Sequence, residues 1–199
     1  MVGIIDYGVG NLFSLRSSFA AIGVEAFVSG DAAELAKADR LILPGVGAFG
    51  DAAEKLRASG LDAFVRQQAA AGKPLMGICL GMQLLFERSF EYGDHEGLGL
   101  LKGQVVGMSG RLPEGLKIPH MGWNALKLTK AAKLLEEGSY VYFVHSFYAE
   151  NCEDSLAAVT DYGIPITAAV EKGNIFGCQF HPEKSGNVGL AILKRFCEV

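Results

Sequence analysis

The sharpest chemical signal in the sequence is Cys79, set in Met76-Gly77-Ile78-Cys79-Leu80-Gly81-Met82-Gln83. An apolar run ends, a cysteine follows between glycines at G-x-C-x-G spacing, and a helical stretch begins. This is the thiol version of the strand–nucleophile–helix elbow. A nucleophile on so tight a turn needs small neighbours, because side chains there would collide with the flanking backbone. A helix N-terminus favours a thiolate and offers a backbone N–H to a developing oxyanion. An inert, buried cysteine in a glycine-containing turn fits the same eight residues.

The second signal, Gln179-Phe180-His181-Pro182-Glu183, lies far downstream. His181 has the side chain of a general base and acid for a thiol. In an extended segment residues i and i+2 point the same way, so Glu183 is expected to reach back and orient the His181 imidazole. Alone, the triplet reads more readily as a surface histidine beside a solvated acid. The third signal is Leu43-Pro44-Gly45-Val46-Gly47-Ala48-Phe49-Gly50. Glycines on both sides of Val46 let its N–H turn inward and join that of Leu80 in an oxyanion hole. A phosphate-cradling loop fits less well: the Lys-Ser/Thr of a P-loop is missing, and G-x-G-x-x-G is matched only by letter. Without the other two signals the run is a glycine-rich turn.

These residues need a scaffold, and the periodicity supplies one. Val2–Ile5 reads as a buried strand. Asn11 is a helix N-cap, with Leu12, Leu15, Phe19 and Ile22 on one face and Gly23 as the stop. Strand-like 25–28, helical 32–38, strand-like 41–43, helical 61–71 and strand-like 74–78 follow. Strands alternating with helices indicate a parallel sheet covered on both faces. After Phe86 the pattern changes to short strands near 104–108, 123–128, 140–148, 156–160, 166–171 and 174–180. Lys172-Gly173-Asn174 is a hairpin turn, and a last amphipathic helix covers 188–196. The expectation is one α/β domain over residues 1–199, a mostly parallel sheet with an antiparallel extension.

Composition removes several function classes. The 199 residues are 50% hydrophobic and 20% charged, with net charge −4. The mean hydropathy of +0.24 is high, yet the longest apolar run, Pro74 to Phe86, falls short of the ~20 residues of a spanning helix and contains glycines. With a pI near 5.6 and no clustered Lys/Arg face, neither nucleic acid nor membrane is an expected partner. The four cysteines form no CxxC pair, so no metal site, cofactor or disulfide framework is expected. The first residues enter a strand without a basic, apolar leader, which gives a cytoplasmic expectation with reduced thiols.

GICLGMQ with downstream FHPE resembles the class I, or triad, glutamine amidotransferase family, whose flavodoxin-like α/β fold the element order would fit. Longer strings resemble one branch of it: DYGVGNL at 6–12, PGVGAFGDA at 44–52, GICLGMQLLFE at 77–87, PHMGWN at 119–124, YFVHSFY at 142–148 and GNIFGCQFHPEKS at 173–185. That branch is the glutaminase subunits of imidazole glycerol phosphate synthase, of histidine biosynthesis. The segment 88–96 is irregular and Ser185-Gly186-Asn187 departs from the usual continuation.

The resemblance implies hydrolysis of L-glutamine by a Cys79–His181–Glu183 triad. It assigns Gly45, Val46 and Leu80 to the oxyanion hole, and Gly47, Gln83, Ser146 and Phe147 to the glutamine site. It also implies a heterodimer with a (β/α)8-barrel cyclase subunit, which receives the ammonia and makes imidazole glycerol phosphate and an aminoimidazole carboxamide ribonucleotide. Asn11, His120, Trp123 and Tyr142 match positions at or near that interface. From residue type alone, Trp123 reads as a core residue. Two rivals use the same residues. A stand-alone Cys–His peptidase or amidase shares the triad but has no use for PHMGWN. A catalytically dead scaffold is at odds with an intact Cys79, His181 and Glu183.

Overall fold

A computed structural model describes all 199 residues. The first half winds as β1 (Val2–Ile5), α1 (Leu12–Ala21), β2 (Ala26–Ser29), α2 (Ala32–Leu35), β3 (Arg40–Leu43), α3 (Phe49–Ala58), α4 (Leu61–Ala70), β4 (Leu75–Ile78) and α5 (Leu80–Leu84). Local chemistry sets several boundaries. Asn11 Oδ1 accepts from the Ser14 N–H at the start of α1, and Asp31 Oδ1 accepts from Ala33 and Glu34 at the start of α2. The helix expected over 32–38 is a single turn, because the Asp39 N–H already binds the Met1 carbonyl and draws the chain back to the sheet. Helix α3 was not expected. Its buried face is Phe49, Ala52, Ala53 and Leu56, and its small residues follow directly on a glycine-rich turn.

The second half continues as β5 (Arg88–Ser89), β6 (His95–Glu96), β7 (Gln104–Gly107), β8 (His120–Ala125), β9 (Lys127–Leu128), β10 (Tyr140–His145), β11 (Phe147–Glu150), β12 (Leu156–Asp161), β13 (Pro165–Lys172) and β14 (Ile175–Cys178). A 3-10 turn, Pro182–Lys184, leads into α6 (Gly186–Phe196). The central sheet runs β2-β1-β3-β4-β14-β13-β12-β9. Its first five strands are parallel, with β14 beside β4, and the last three are antiparallel. The parallel part therefore has the 2-1-3-4-5 order of flavodoxin-like sheets. The antiparallel extension is divided more finely than expected. The segment 140–148 breaks at Ser146, so β10 pairs with β8 in a two-stranded sheet while β11 pairs with β7 in a four-stranded one. The segment 123–128 likewise splits between β8 and β9.

Each face of the central sheet has its own core. Phe49, Leu56, Leu61 and Val65 of α3 and α4 pack on one side. Leu15, Phe19, Ile192, Leu193 and Phe196 of α1 and α6 pack on the other. Losing one such buried aromatic costs about 3–5 kcal/mol. What this scaffold positions is the carboxyl edge of the parallel strands, where β3, β4 and β14 end in the three segments singled out above.

Candidate active site

Cys79 occupies the turn between β4 and α5 at φ 55°, ψ −111°. Such a backbone is strained for a residue with a Cβ, by of order 1–3 kcal/mol. It is held by the Cys79 N–H donating to the Cys178 carbonyl at 2.7 Å and by the Gln83 N–H donating to the Cys79 carbonyl at 3.2 Å. The flanking glycines are obligatory. A Cβ on Gly81 would lie 1.8 Å from the Leu43 carbonyl oxygen, and one on Gly77 would lie 2.6 Å from the Gly81 oxygen. The G-x-C-x-G spacing is thus a packing requirement between β3, β4 and α5.

His181 follows β14, with its N–H donating to the Tyr142 carbonyl at 2.9 Å. Its Nδ1 lies 2.8 Å from Glu183 Oε1, and both side chains are buried. Glu183 does not reach back along an extended segment as expected. Pro182 starts a 3-10 turn, and Glu183 approaches the imidazole from within that turn. Ser185 locks it: its hydroxyl donates to the His181 carbonyl and accepts from the Tyr142 N–H. Burial alone would lower the basicity of His181, but Cys79 and Glu183 together outweigh it and raise its pKa to about 9. The ring therefore carries a proton at neutral pH.

A cavity of about 360 Å³ opens over Cys79. It brings together most of the residues singled out in the sequence: Val46, Gly47, Cys79, Leu80, Gln83, Ser146, Phe147 and His181 all line it. None of the chain's hydrogen bonds engages the N–H of Val46 or of Leu80. Gly45 sits behind this wall; a Cβ there would be 2.7 Å from the Gly81 nitrogen and 2.9 Å from Leu80 Cβ. Gln83 is anchored through its amide, which donates to the Phe147 carbonyl and to Gln179 Oε1, both at 3.0 Å. Gln179 in turn directs its amide at Cys79 Sγ, 3.7 Å away.

The sequence reading missed Glu91, Tyr92, Pro119, Val144, His145 and Lys184, which complete the lining. Glu91 and Tyr92 come from the irregular 88–96 segment. Glu91 Oε2 accepts from the Phe49 N–H at 2.7 Å, and burial pushes its carboxyl pKa up. Tyr92 stands at φ 54° with its ring edge-on to Phe147. The alternation of β10 could have found His145, since His145 and Phe143 are buried at i and i+2. No local pattern marks the others. No group of three His, Cys, Asp or Glu side chains is placed to hold a metal ion.

The four residues matched to a partner interface divide. Trp123 is 52% exposed and packs edge-on to Tyr142, its cross-strand neighbour, so it is not the core residue that its type suggested. Met121, two residues before it, is 59% exposed. Asn11 is half-buried and caps α1. His120 is the exception: it is fully buried, so its side chain supports β8 from inside and presents no outer face.

The sequence pattern of the glutamine amidotransferase class-I family matches residues 3–199. Among curated proteins, the imidazole glycerol phosphate synthase subunit HisH of Wolinella succinogenes is 51% identical over the whole of both chains. That of Caldanaerobacter subterraneus subsp. tengcongensis is 52% identical, covering 100% of this chain and 98% of the relative. Among solved structures, a glutamine amidotransferase superposes with a TM-score of 0.78 at 20% identity, over 99% of this chain and 97% of that one. PurLQS from Thermotoga maritima gives 0.74 at 21% identity, over the same shares. At those identities the structural likeness speaks for the fold.

Proposed function

This chain belongs to the class-I glutamine amidotransferase family, and on that premise we propose that it is the glutaminase subunit of an imidazole glycerol phosphate synthase. It hydrolyses L-glutamine and passes the ammonia to a cyclase subunit. The observation that carries the reading is Cys79, held at a positive φ between two obligatory glycines and facing a cavity that it shares with the Glu183-bound His181.

In this reading the Cys79 thiol proton resides on His181, the thiolate attacks the side-chain carboxamide carbon, and the N–H groups of Val46 and Leu80 receive the oxyanion. The proton held by His181 goes to the nitrogen as the C–N bond breaks, which releases ammonia and leaves a γ-glutamyl thioester. His181, now neutral, takes a proton from water. The hydroxide so formed displaces the thiolate, and glutamate leaves. Glu183 keeps the ring aligned and compensates its charge. Gly47, Gln83, Ser146 and Phe147, which line the cavity, are proposed to hold the glutamine side chain, and Glu91, a further lining residue, to receive the substrate's α-ammonium.

The exposed Met121–Trp123 stretch, with Tyr142 beside it and Asn11 on α1, is the face proposed for the cyclase barrel, with the aromatic pair as anchor. The test is glutamate release from the purified chain with and without the cyclase and its nucleotide ligand. Slow turnover alone and a large increase in the complex are expected, because coupling requires the partner to favour one state of the site. Full turnover by the isolated chain, or hydrolysis of peptides in place of glutamine, would contradict the reading.

A further inference from the structure

From the cavity wall inward runs a pair of buried histidines that the triad does not use. His145 lines the cavity, and its Nδ1 is 2.8 Å from the Phe147 carbonyl oxygen. Its Nε2 is 3.0 Å from Nδ1 of His120, and Nε2 of His120 is 2.9 Å from Asn124 Oδ1. The Asn124 amide is oriented by its Nδ2, which donates to the Asp161 carbonyl at 3.2 Å. The two rings thus bridge two oxygen acceptors.

Hydrogen counting gives this arrangement a consequence. The Phe147 carbonyl requires a hydrogen on His145 Nδ1, and Asn124 Oδ1 requires one on His120 Nε2. The contact between the rings requires a third. Two neutral imidazoles carry one N–H each, so one contact would set lone pair against lone pair. With His145 neutral and His120 doubly protonated, all three close. The surroundings of His120 suit a cation: its ring is stacked between Tyr162, with centroids 4.0 Å apart, and Phe143, at 4.9 Å.

The Phe147 carbonyl extends the connection. It also accepts from Gln83, which binds Gln179, whose amide points at Cys79 Sγ. We propose that His120 and His145 form a proton-linked tether between Asn124, beside the exposed Trp123, and the Phe147 wall of the cavity, closed fully only when His120 is an imidazolium. The two histidines are positioning residues, and their effect on chemistry rests on the glutaminase reading; the proton count does not.

Burial lowers the basicity of both rings, and the Asn124 contact opposes this at His120. The third proton should therefore leave below the ordinary imidazole value of 6.5. The ionisable groups around the pair are His181, Lys184 and Glu91, which line the same cavity as His145, Tyr162 on the His120 ring, and Asp161, whose side chain pairs with Lys127.

The test is nitrogen NMR of the full chain labelled at histidine, where only four side chains report. At the acidic end of the folded range the pair should show three protonated ring nitrogens, the third lost as pH rises. Asn124→Asp supplies a carboxylate and should move that loss upward by about one pH unit or more; Asn124→Leu should abolish it. Two protonated nitrogens at every pH would overturn the proposal. The second readout is the rate at which a diazo-ketone glutamine analogue alkylates Cys79, divided by the rate for iodoacetamide, which enters the same cavity but carries no α-amino acid group for it to bind. The ratio should fall roughly fivefold as the third proton leaves, with the fall displaced in Asn124→Asp. A flat ratio would contradict the tether. No labelling by the analogue at any pH would instead refute the glutaminase reading, and the proton count would still be decided.

Discussion

Nδ1 of His181 lies 2.8 Å from Oε1 of Glu183, and the other carboxylate oxygen, Oε2, is buried without a hydrogen-bond partner. A buried unmatched acceptor costs about 1–3 kcal/mol, and the imidazole is the one hydrogen-bond partner that offsets burial of this carboxylate. Against the lowering effect of burial, the contacts with Cys79 and Glu183 together make His181 more basic.

The pH dependence of stability follows with a definite sign. The folded value of about 9 lies above the ordinary 6.5. Stabilisation from His181 is therefore complete below the ordinary value and is lost as pH rises through about 9. Calorimetric melting from neutral to alkaline pH should show Tm falling over that window. Glu183→Gln, which keeps a hydrogen-bonding group but no charge, should show a shallower fall. Parallel curves for the two proteins would refute the assignment.

The strain at Cys79 can be measured separately from its chemistry. Cys79→Ala keeps a Cβ at φ 55°, whereas Cys79→Gly removes it. The glycine variant should be the more stable of the two by about 1 kcal/mol, read as a higher midpoint in denaturant. Equal midpoints would mean that the turn is relaxed.

The neighbouring glycines should be far less tolerant. Gly81→Ala would force a Cβ to within 1.8 Å of the Leu43 carbonyl oxygen, so the loss should exceed about 4 kcal/mol, seen as failure to yield folded protein. At Gly47 an added Cβ meets open space at φ 92°. Gly47→Ala should cost only about 1–2 kcal/mol and fold. Similar stability for both variants would refute the packing account of the elbow.

Thiol reactivity offers a further check. All four cysteines are free. Burial pushes the Cys152, Cys178 and Cys197 thiols up, which leaves them protonated at neutral pH. Mass mapping after brief treatment with a diazo-ketone glutamine analogue should place the label on Cys79 alone. Label on any of the other three would count against the site.

Much of this was legible in local sequence, for identifiable reasons. Val2–Ile5 is apolar at every position because β1 is buried on both faces, and the Asn11 cap and the α4 face follow helical spacing. The Cys79 turn was legible because tight turns constrain residue type, as Gly77 and Gly81 do around Cys79. What stayed hidden depends on register between distant strands. His120 meets His145 only because β8 and β10 pair antiparallel with those two residues opposite each other. Glu91 reaches the cavity from a segment with no periodicity, anchored by the Phe49 N–H of a helix whose start looks like a glycine turn. The geometry of Glu183 was misread because Pro182 opens a 3-10 turn where an extended segment was expected.

Whether Cys79 makes the ammonia and a partner uses it is decided by changing the nitrogen source. The complex of Cys79→Ala with the cyclase subunit is assayed for imidazole glycerol phosphate, with glutamine or with ammonium at alkaline pH. Loss of a triad nucleophile lowers turnover on the order of a million-fold, so product from glutamine should vanish while product from ammonium remains at the wild-type complex's level. Glutamine-dependent product from the variant, or failure with ammonium in an intact complex, would contradict the account.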